Sequence, residues 1–161
     1  MKFNSRKPTR LKEYDYGTEG AYFVTICTDK RKPLLGQSVV GRGLAPAVVK
    51  ISEYGRIAEE QLLLLEKRYP QVKIDKYTIM PDHIHILLRI EKAGASPCPT
   101  IPDVMCAYKS ITTRLCRQTG YTEKHLFQSS YHDHIIRNYE DYLDRWQYIQ
   151  SNPAKLQDDE N

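Results

Sequence analysis

One octapeptide constrains the fold more than any other stretch. In His83-Ile84-His85-Ile86-Leu87-Leu88-Arg89-Ile90 every second residue, from Ile84 to Ile90, is a large aliphatic. Strand side chains alternate between two faces, so Ile84, Ile86, Leu88 and Ile90 share one face, which has to be covered. His83, His85, Leu87 and Arg89 take the other, with the two imidazoles about 6.5 Å apart at their Cα atoms. A pair at that spacing can grip one metal ion or one phosphate. For an arbitrary H-x-H, two surface histidines on a sheet are the commoner outcome, and spacing alone leaves both open.

The other segments supply the cover. Tyr22 to Thr28 reads as a first strand, Val72 to Met80 as a second, His83 to Ile90 as a third and Tyr131 to Arg137 as a fourth. A helix starts at Ser52, carries Ile57, Leu62, Leu65 and Tyr69 on one face, and stops at Pro70. A second runs from Asp103, a candidate N-cap, to Gln118, with Gly120 just past its end. Tyr139 to Ser151 reads as a third, closed by Asn152-Pro153. Two Gly/Pro/Ala-rich stretches, 36–47 and 92–102, read as loops. Strand, helix, strand, strand, helix, strand is the order of an α+β, ferredoxin-like (RRM-like) antiparallel sheet with both crossover helices on one face, here with an appended C-terminal helix. The 161 residues are expected to form a single domain, flanked by a basic segment (1–12) and a polar tail (157–161). The second face of the sheet is expected to be open, which is where such folds bind nucleic acid.

Charge and cysteine content narrow the setting. Lys and Arg number 24 against 20 Asp and Glu, a mild excess of +4 that suits a polyanionic partner. Lys2, Arg6, Lys7, Arg10 and Lys12 all precede the first acid, Glu13, so this segment can lie along phosphates or be a solvated tail. Lys73, Lys76, Lys109, Arg114 and Arg117 leave the same two options. No apolar run nears the roughly 18 residues of a membrane helix, and the N-terminus lacks a signal-like apolar stretch, so a cytoplasmic, nucleoid-associated protein is expected. Cys27, Cys98, Cys106 and Cys116 include no C-x-x-C pair and read as reduced thiols, with Cys27, Cys106 and Cys116 expected in the packing.

On the C-terminal helix Tyr142, Trp146 and Ile149 form the stripe to be buried. Tyr148 lies off it, on a flank with Asp141, Arg145 and Asn152. Four residues separate Tyr148 from Asn152, which stacks phenol and amide on adjacent turns. They can be offered to one ligand, or be a boundary residue and a helix end. A rival histidine pair, His132 and His134, also shares a strand face, but its strand sorts less cleanly into apolar and polar sides. His125 has no partner in sequence and is expected in solvent.

Met80-Pro81-Asp82-His83-Ile84-His85 resembles the M-P-x-H-x-H motif of single-tyrosine HUH nucleases, specifically the REP-associated tyrosine transposases related to insertion-sequence transposases. Leu11 to Tyr16 with Gly20 to Thr28 resembles the family's opening, and Phe127-Gln128, Tyr131 and Ile136-Arg137-Asn138 its fourth-strand region. Tyr148-Ile149-Gln150-Ser151-Asn152-Pro153-Ala154-Lys155 resembles its Y-I-x-x-N-P-x-K helix end, with Leu156 where relatives often carry Trp. The resemblance spans roughly residues 10–155. It implies that Tyr148 is the nucleophile, that His83, His85 and Asn152 hold a divalent ion, Mg²⁺ or Mn²⁺, and that the substrate is single-stranded or hairpin DNA of repeated palindromes. The implied reaction is transesterification through a 5′-phosphotyrosine link, which leaves a free 3′-hydroxyl. It assigns no metal role to His132 or His134, which with Arg137, Arg6, Lys7 and Arg10 become candidate DNA contacts, and it is compatible with a monomer or a homodimer. A free phenol ionises near about 10, so a base is needed, and Lys155 and a metal-bound water both qualify.

Two other functions fit the same residues. An RRM-like sheet can hold single-stranded nucleic acid through its tyrosines, 12 in this chain, without any covalent step. Alternatively, His83, His85, His132 and His134 can form the metal site of a small phosphoesterase.

Overall fold

The computed structural model describes residues 19–39, 48–92 and 97–159, with side chains as far as Asn152. Arg6, Lys7, Arg10, the basic segment 1–12, the side chains of Lys155 and Leu156, and residues 160–161 of the tail lie outside the described residues.

The elements in order are β1 (Gly20–Cys27), β2 (Gly36–Val39), β3 (Val48–Ile51), α1 (Glu53–Leu63), α2 (Leu65–Arg68), β4 (Val72–Ile79), β5 (His83–Ile90), α3 (Ile101–Gln118), β6 (His132–Ile136) and α4 (Tyr139–Asp159). Strands pair in the order β4-β5-β1-β6, and every pairing is antiparallel. Two crossovers, β1 through α1 to β4 and β5 through α3 to β6, interleave around the central β5-β1 pair. This is the ferredoxin-like arrangement, with β2-β3 inserted as a separate hairpin.

Helix-side burial follows the alternation. Tyr22, Val24 and Ile26 of β1 and Ile84, Ile86 and Leu88 of β5 are fully buried against Ala58 and Leu62 of α1 and Val104, Met105 and Tyr108 of α3. Each such aliphatic contributes about 1.5–3 kcal/mol on leaving water. The Tyr108 hydroxyl donates to the Ala58 carbonyl at 2.8 Å, which joins α3 to α1 and satisfies the polar end of that buried ring. Gly55 permits the closest backbone approach, because a Cβ there would stand 2.1 Å from the Leu35 carbonyl oxygen.

The structure corrects several expectations. The N-cap of α3 is Thr100, whose hydroxyl accepts from the Asp103 N–H at 3.2 Å, not Asp103 itself; Pro102 fits the first turn because no helical acceptor awaits its missing N–H. Helix α4 does not stop at Asn152-Pro153 but continues to Asp159, since one proline removes a single donor and can be carried within a helix. The 36–47 stretch is not all loop: its first four residues form β2, paired with β3. Cys27 and Cys116 are buried thiols as expected, but Cys106 is exposed. The second face of the sheet is not fully open, because Ile149 of α4 packs on Phe23 and Leu87, with Ile136, Tyr142 and Trp146 around them.

Candidate active site

The turn before β5 sets the site. Backbone bonds from Met80 N to His83 O (2.8 Å), Leu35 N to Pro81 O (2.9 Å) and Thr28 N to Asp82 O (2.9 Å) fix Met80-Pro81-Asp82 against the end of β1. There Lys30 and Arg31 both adopt φ of 55°, a left-handed conformation that costs non-glycine residues roughly 1–2 kcal/mol each. Holding it, Arg31 Nε pairs with Asp82 Oδ2 at 3.1 Å and Nη1 donates to Cys27 Sγ at 2.8 Å. The other Asp82 oxygen bonds His83 Nδ1 at 2.7 Å. A non-neutral pair of bonds thus orients the first imidazole.

His85 is oriented from a different strand. Its Nδ1 lies 2.8 Å from the hydroxyl of Thr25, its register partner on β1. The two imidazoles are 4.6 Å apart between ring centroids, and among the described residues neither Nε2 takes a hydrogen bond. Burial lowers the pKa of His83, against the opposing pull of the Asp82 bond and charge. Burial pushes His85 down to about 3, helped by the positive charge of His83, Arg31 and Arg145. Both rings are therefore neutral at pH 7; the Asp82 carboxylate takes the His83 Nδ1 proton, which leaves the lone pair of that ring on Nε2.

Helix α4 brings the phenol. Asn138 starts it by accepting the Asp141 N–H at 2.8 Å on its side-chain oxygen. Tyr142 then donates to Asp75 Oδ2 at 2.7 Å, Lys76 Nζ sits 4.4 Å over the Trp146 ring, and Ile149 is 1% exposed. With that seam fixed, Tyr148 meets His85 edge-on at 5.2 Å and Phe23 at 5.9 Å, while remaining 38% exposed. A bulky polymer can reach that ring from solvent. One turn further, Asn152 is buried and its Nδ2 lacks a hydrogen-bond partner among the described residues.

The structure thus brings His83, His85 and Tyr148 together and sets buried Asn152 on the same helix. It leaves the rival histidines outside. His132 is exposed, in register with Thr25; His134 bonds Asp141 Oδ2 at 2.7 Å, and Arg137 is exposed on the following turn. Burial opposes the Asp141 charge, yet the His134 and Arg137 N–H bonds hold its carboxyl below the usual range. Among the described residues no three His, Cys, Asp or Glu side chains cluster as metal ligands, so the four-histidine site is not assembled. Sequence reading missed Arg31, Asp82 and Thr25 as site residues. Asp82 had a signal, a carboxylate directly before H-x-H; Thr25 and Arg31 had none, being placed by pairing across tens of residues.

This arrangement is an orienting cage of two neutral imidazoles beside an accessible phenol, with guanidiniums of Arg31 and Arg145 within electrostatic reach. Among the described residues no helix is long and apolar enough to cross a membrane. A protein of Haemophilus influenzae, described only as uncharacterized, is 27% identical over 172 residues, 96% of this chain and 92% of that one. A solved REP-associated tyrosine transposase bound to a REP hairpin matches with a TM-score of 0.66 at 19% identity, over 91% of this chain and 73% of its own. A putative transposase from Deinococcus radiodurans R1 matches at 0.53 and 19%, over 88% and 97%. These two likenesses establish a shared fold. The family model described as "Transposase IS200 like" matches residues 19–152, from just before β1 to the buried Asn152. On that match, which takes in both imidazoles and the phenol, the chain belongs to the IS200-like transposase family.

Proposed function

We propose that the chain cuts and rejoins single-stranded DNA by transesterification at Tyr148, on strands that fold as hairpins from repeated palindromes. The observation that carries this is the edge-on approach of the exposed Tyr148 ring to His85, which stands beside His83 with both Nε2 atoms unengaged. The solved relative bound to a REP hairpin supports the choice of DNA. Tyr148 Oη bonds to the backbone phosphorus as the bond from phosphorus to the 3′ oxygen breaks. The phenolic proton departs, the 3′ oxygen gains one, and the 5′ fragment end stays on Tyr148 until another 3′-hydroxyl attacks and restores the phenol.

The residues present fit a divalent ion. Both Nδ1 atoms are engaged, by Asp82 and Thr25, so each ring presents its Nε2 to a ligand, and the side-chain oxygen of buried Asn152 is the candidate third donor. Two nitrogens beside one oxygen suit Mn²⁺ at least as well as Mg²⁺. When bound, such an ion draws charge from the non-bridging phosphate oxygens. The chain's own contributions are separable from that: Asp82 and Thr25 hold the imidazoles in place, burial keeps them unprotonated, and the α4 seam fixes the phenol.

The test is incubation of 5′- and 3′-labelled single-stranded hairpins with Mn²⁺ or Mg²⁺, comparing the natural chain with Tyr148→Phe. A covalent adduct is expected from the natural chain alone, retaining the label of the 5′-phosphate side. Equal adduct from both moves the nucleophile elsewhere. Tight binding with no adduct from either favours the non-catalytic nucleic-acid-binding module.

A further inference from the structure

Away from Tyr148, the second half of α3 and the segment 124–129 enclose a groove of about 460 Å³. Its lining includes Lys109, Arg117 and Lys124, the hydroxyls of Ser110 and Thr113, and no carboxylate. Lys109 Nζ donates across it to the Ser129 carbonyl at 3.1 Å, and Arg117 Nη2 donates to the Lys124 carbonyl. Two of the three cations are therefore held at the groove by backbone carbonyls rather than swinging in solvent.

The groove is tied to the active site through β1. Asp29 N donates to Leu126 O and Gln128 N to Cys27 O, both at 2.9 Å, and Cys27 stands opposite His83 in register. A second connection runs across the sheet, where His85, Thr25 and the exposed His132 lie in line on β5, β1 and the edge strand β6. Neighbouring strands are about 4.8 Å apart, so a strand of DNA at Tyr148 reaches the β6 edge within roughly 10 Å.

We propose that this groove binds the phosphate backbone of the DNA flanking the cleaved position, as a site distinct from the catalytic one; the assignment rests on the DNA reading above. Lys109 and Arg117 are two turns apart on α3, about 12 Å along its axis, so no single phosphate spans them and a repeating polyanion does. Hydroxyl donors between the cations suit phosphate oxygens. Phe127 is 4% exposed and offers no face for stacking a base, which leaves the exposed His125 ring as the one stacking surface in the lining; the cations and hydroxyls contact backbone and are indifferent to sequence.

The test uses the full chain with Lys109, Arg117 and Lys124 all replaced by Gln, and separately Lys124→Glu at an exposed position. Binding is measured by fluorescence anisotropy at several salt concentrations. One probe is a long hairpin with flanking single strand; the other is a short single-stranded oligonucleotide reaching only the cleaved position. On the long probe the triple variant is expected to lose at least tenfold in affinity. The slope of log affinity on log salt should flatten by about 0.7–0.9 for each phosphate contact removed. Lys124→Glu should weaken the long probe in the same direction, while adduct yield on the short probe is unchanged for both variants. Unchanged slope and affinity on the long probe, or equal losses on both probes, overturn the proposal. If the natural chain forms no adduct on either probe, the catalytic reading fails, and the salt slopes still report on the groove.

Discussion

The two faces of the sheet are made by the same strands and serve opposite ends. On the helix side twenty-two buried residues among those described, from strands, helices and loops, close one continuous core. On the α4 side the fully packed cluster is three residues, Phe23, Leu87 and Ile149, and beside it lie His85, Thr25 and Tyr148, with buried Asn152 one turn further along α4. Buried imidazoles and an unpaired amide cost stability. The chain tolerates them because the opposite face supplies the hydrophobic free energy. The contrast teaches that β5 carries the separation within one strand: odd positions bear chemistry and even positions bear the fold.

Breaking each face in turn sharpens this. His85→Gln, a change of similar volume, is expected to abolish the covalent adduct on labelled DNA while moving stability by less than roughly 1.5 kcal/mol in urea unfolding. Leu88→Ala, on the same strand but the other face, should cost about 2–5 kcal/mol, with adduct formation retained per folded molecule. If instead His85→Gln unfolds the chain, or Leu88→Ala removes activity without destabilising it, the division of labour between the faces is wrong.

Sequence made the helix-side face legible because its information is local. Ile84, Ile86, Leu88 and Ile90 declare their burial by alternation, and the observed β5 has the bounds that pattern predicts. The histidine pair and the α4 stripe of Tyr142, Trp146 and Ile149 were legible for the same reason. The β2-β3 hairpin was not, because Gly36 resembles a loop residue; its small size is a packing need, as a Cβ there would stand 2.7 Å from the Lys50 carbonyl oxygen. What orients the imidazoles was also hidden. Thr25 and His85 are 60 residues apart and Tyr142 and Asp75 are 67 apart, and no short-range pattern encodes such pairings. The continuation of α4 past Pro153 was missed because proline was weighed as a stop rather than as the loss of one donor.

A smaller effect addresses how the site face is oriented. Asp82→Asn keeps an acceptor for His83 Nδ1 but removes the charge that pairs with Arg31. Loss of such an outer carboxylate typically weakens metal binding about 10–100-fold. Calorimetric titration with Mn²⁺ should show that drop while Lys76→Gln, on the far side of the α4 seam, shows none. Equal affinity in Asp82→Asn and the natural chain would mean that an acceptor at His83 Nδ1 is enough and that the Asp82 charge does not tune the ion.

The smallest expected effect compares how tightly the two faces hold their helices. On the helix side Tyr77 donates to Glu59 of α1 at 2.8 Å; on the site side Tyr142 donates to Asp75 of β4 at 2.7 Å. Burial, then the carboxylate bond and its charge, raises both phenols to about 12 from 10. Folding therefore favours the protonated phenol in each case, so the stabilisation is complete below about pH 10 and is lost as pH rises towards 12. Near neutral pH either Tyr→Phe change should cost about 0.5–1.5 kcal/mol, the worth of one hydrogen bond. Their local consequences differ, because α1 keeps the large core when Tyr77 lets go whereas α4 has little else. Amide hydrogen exchange at pH 8 should accelerate along α4 in Tyr142→Phe and stay unchanged along α1 in Tyr77→Phe. Since Tyr148 rides on α4, adduct yield should fall with the first change and not with the second; equal exchange in both helices would mean that α4 is held as firmly as the core.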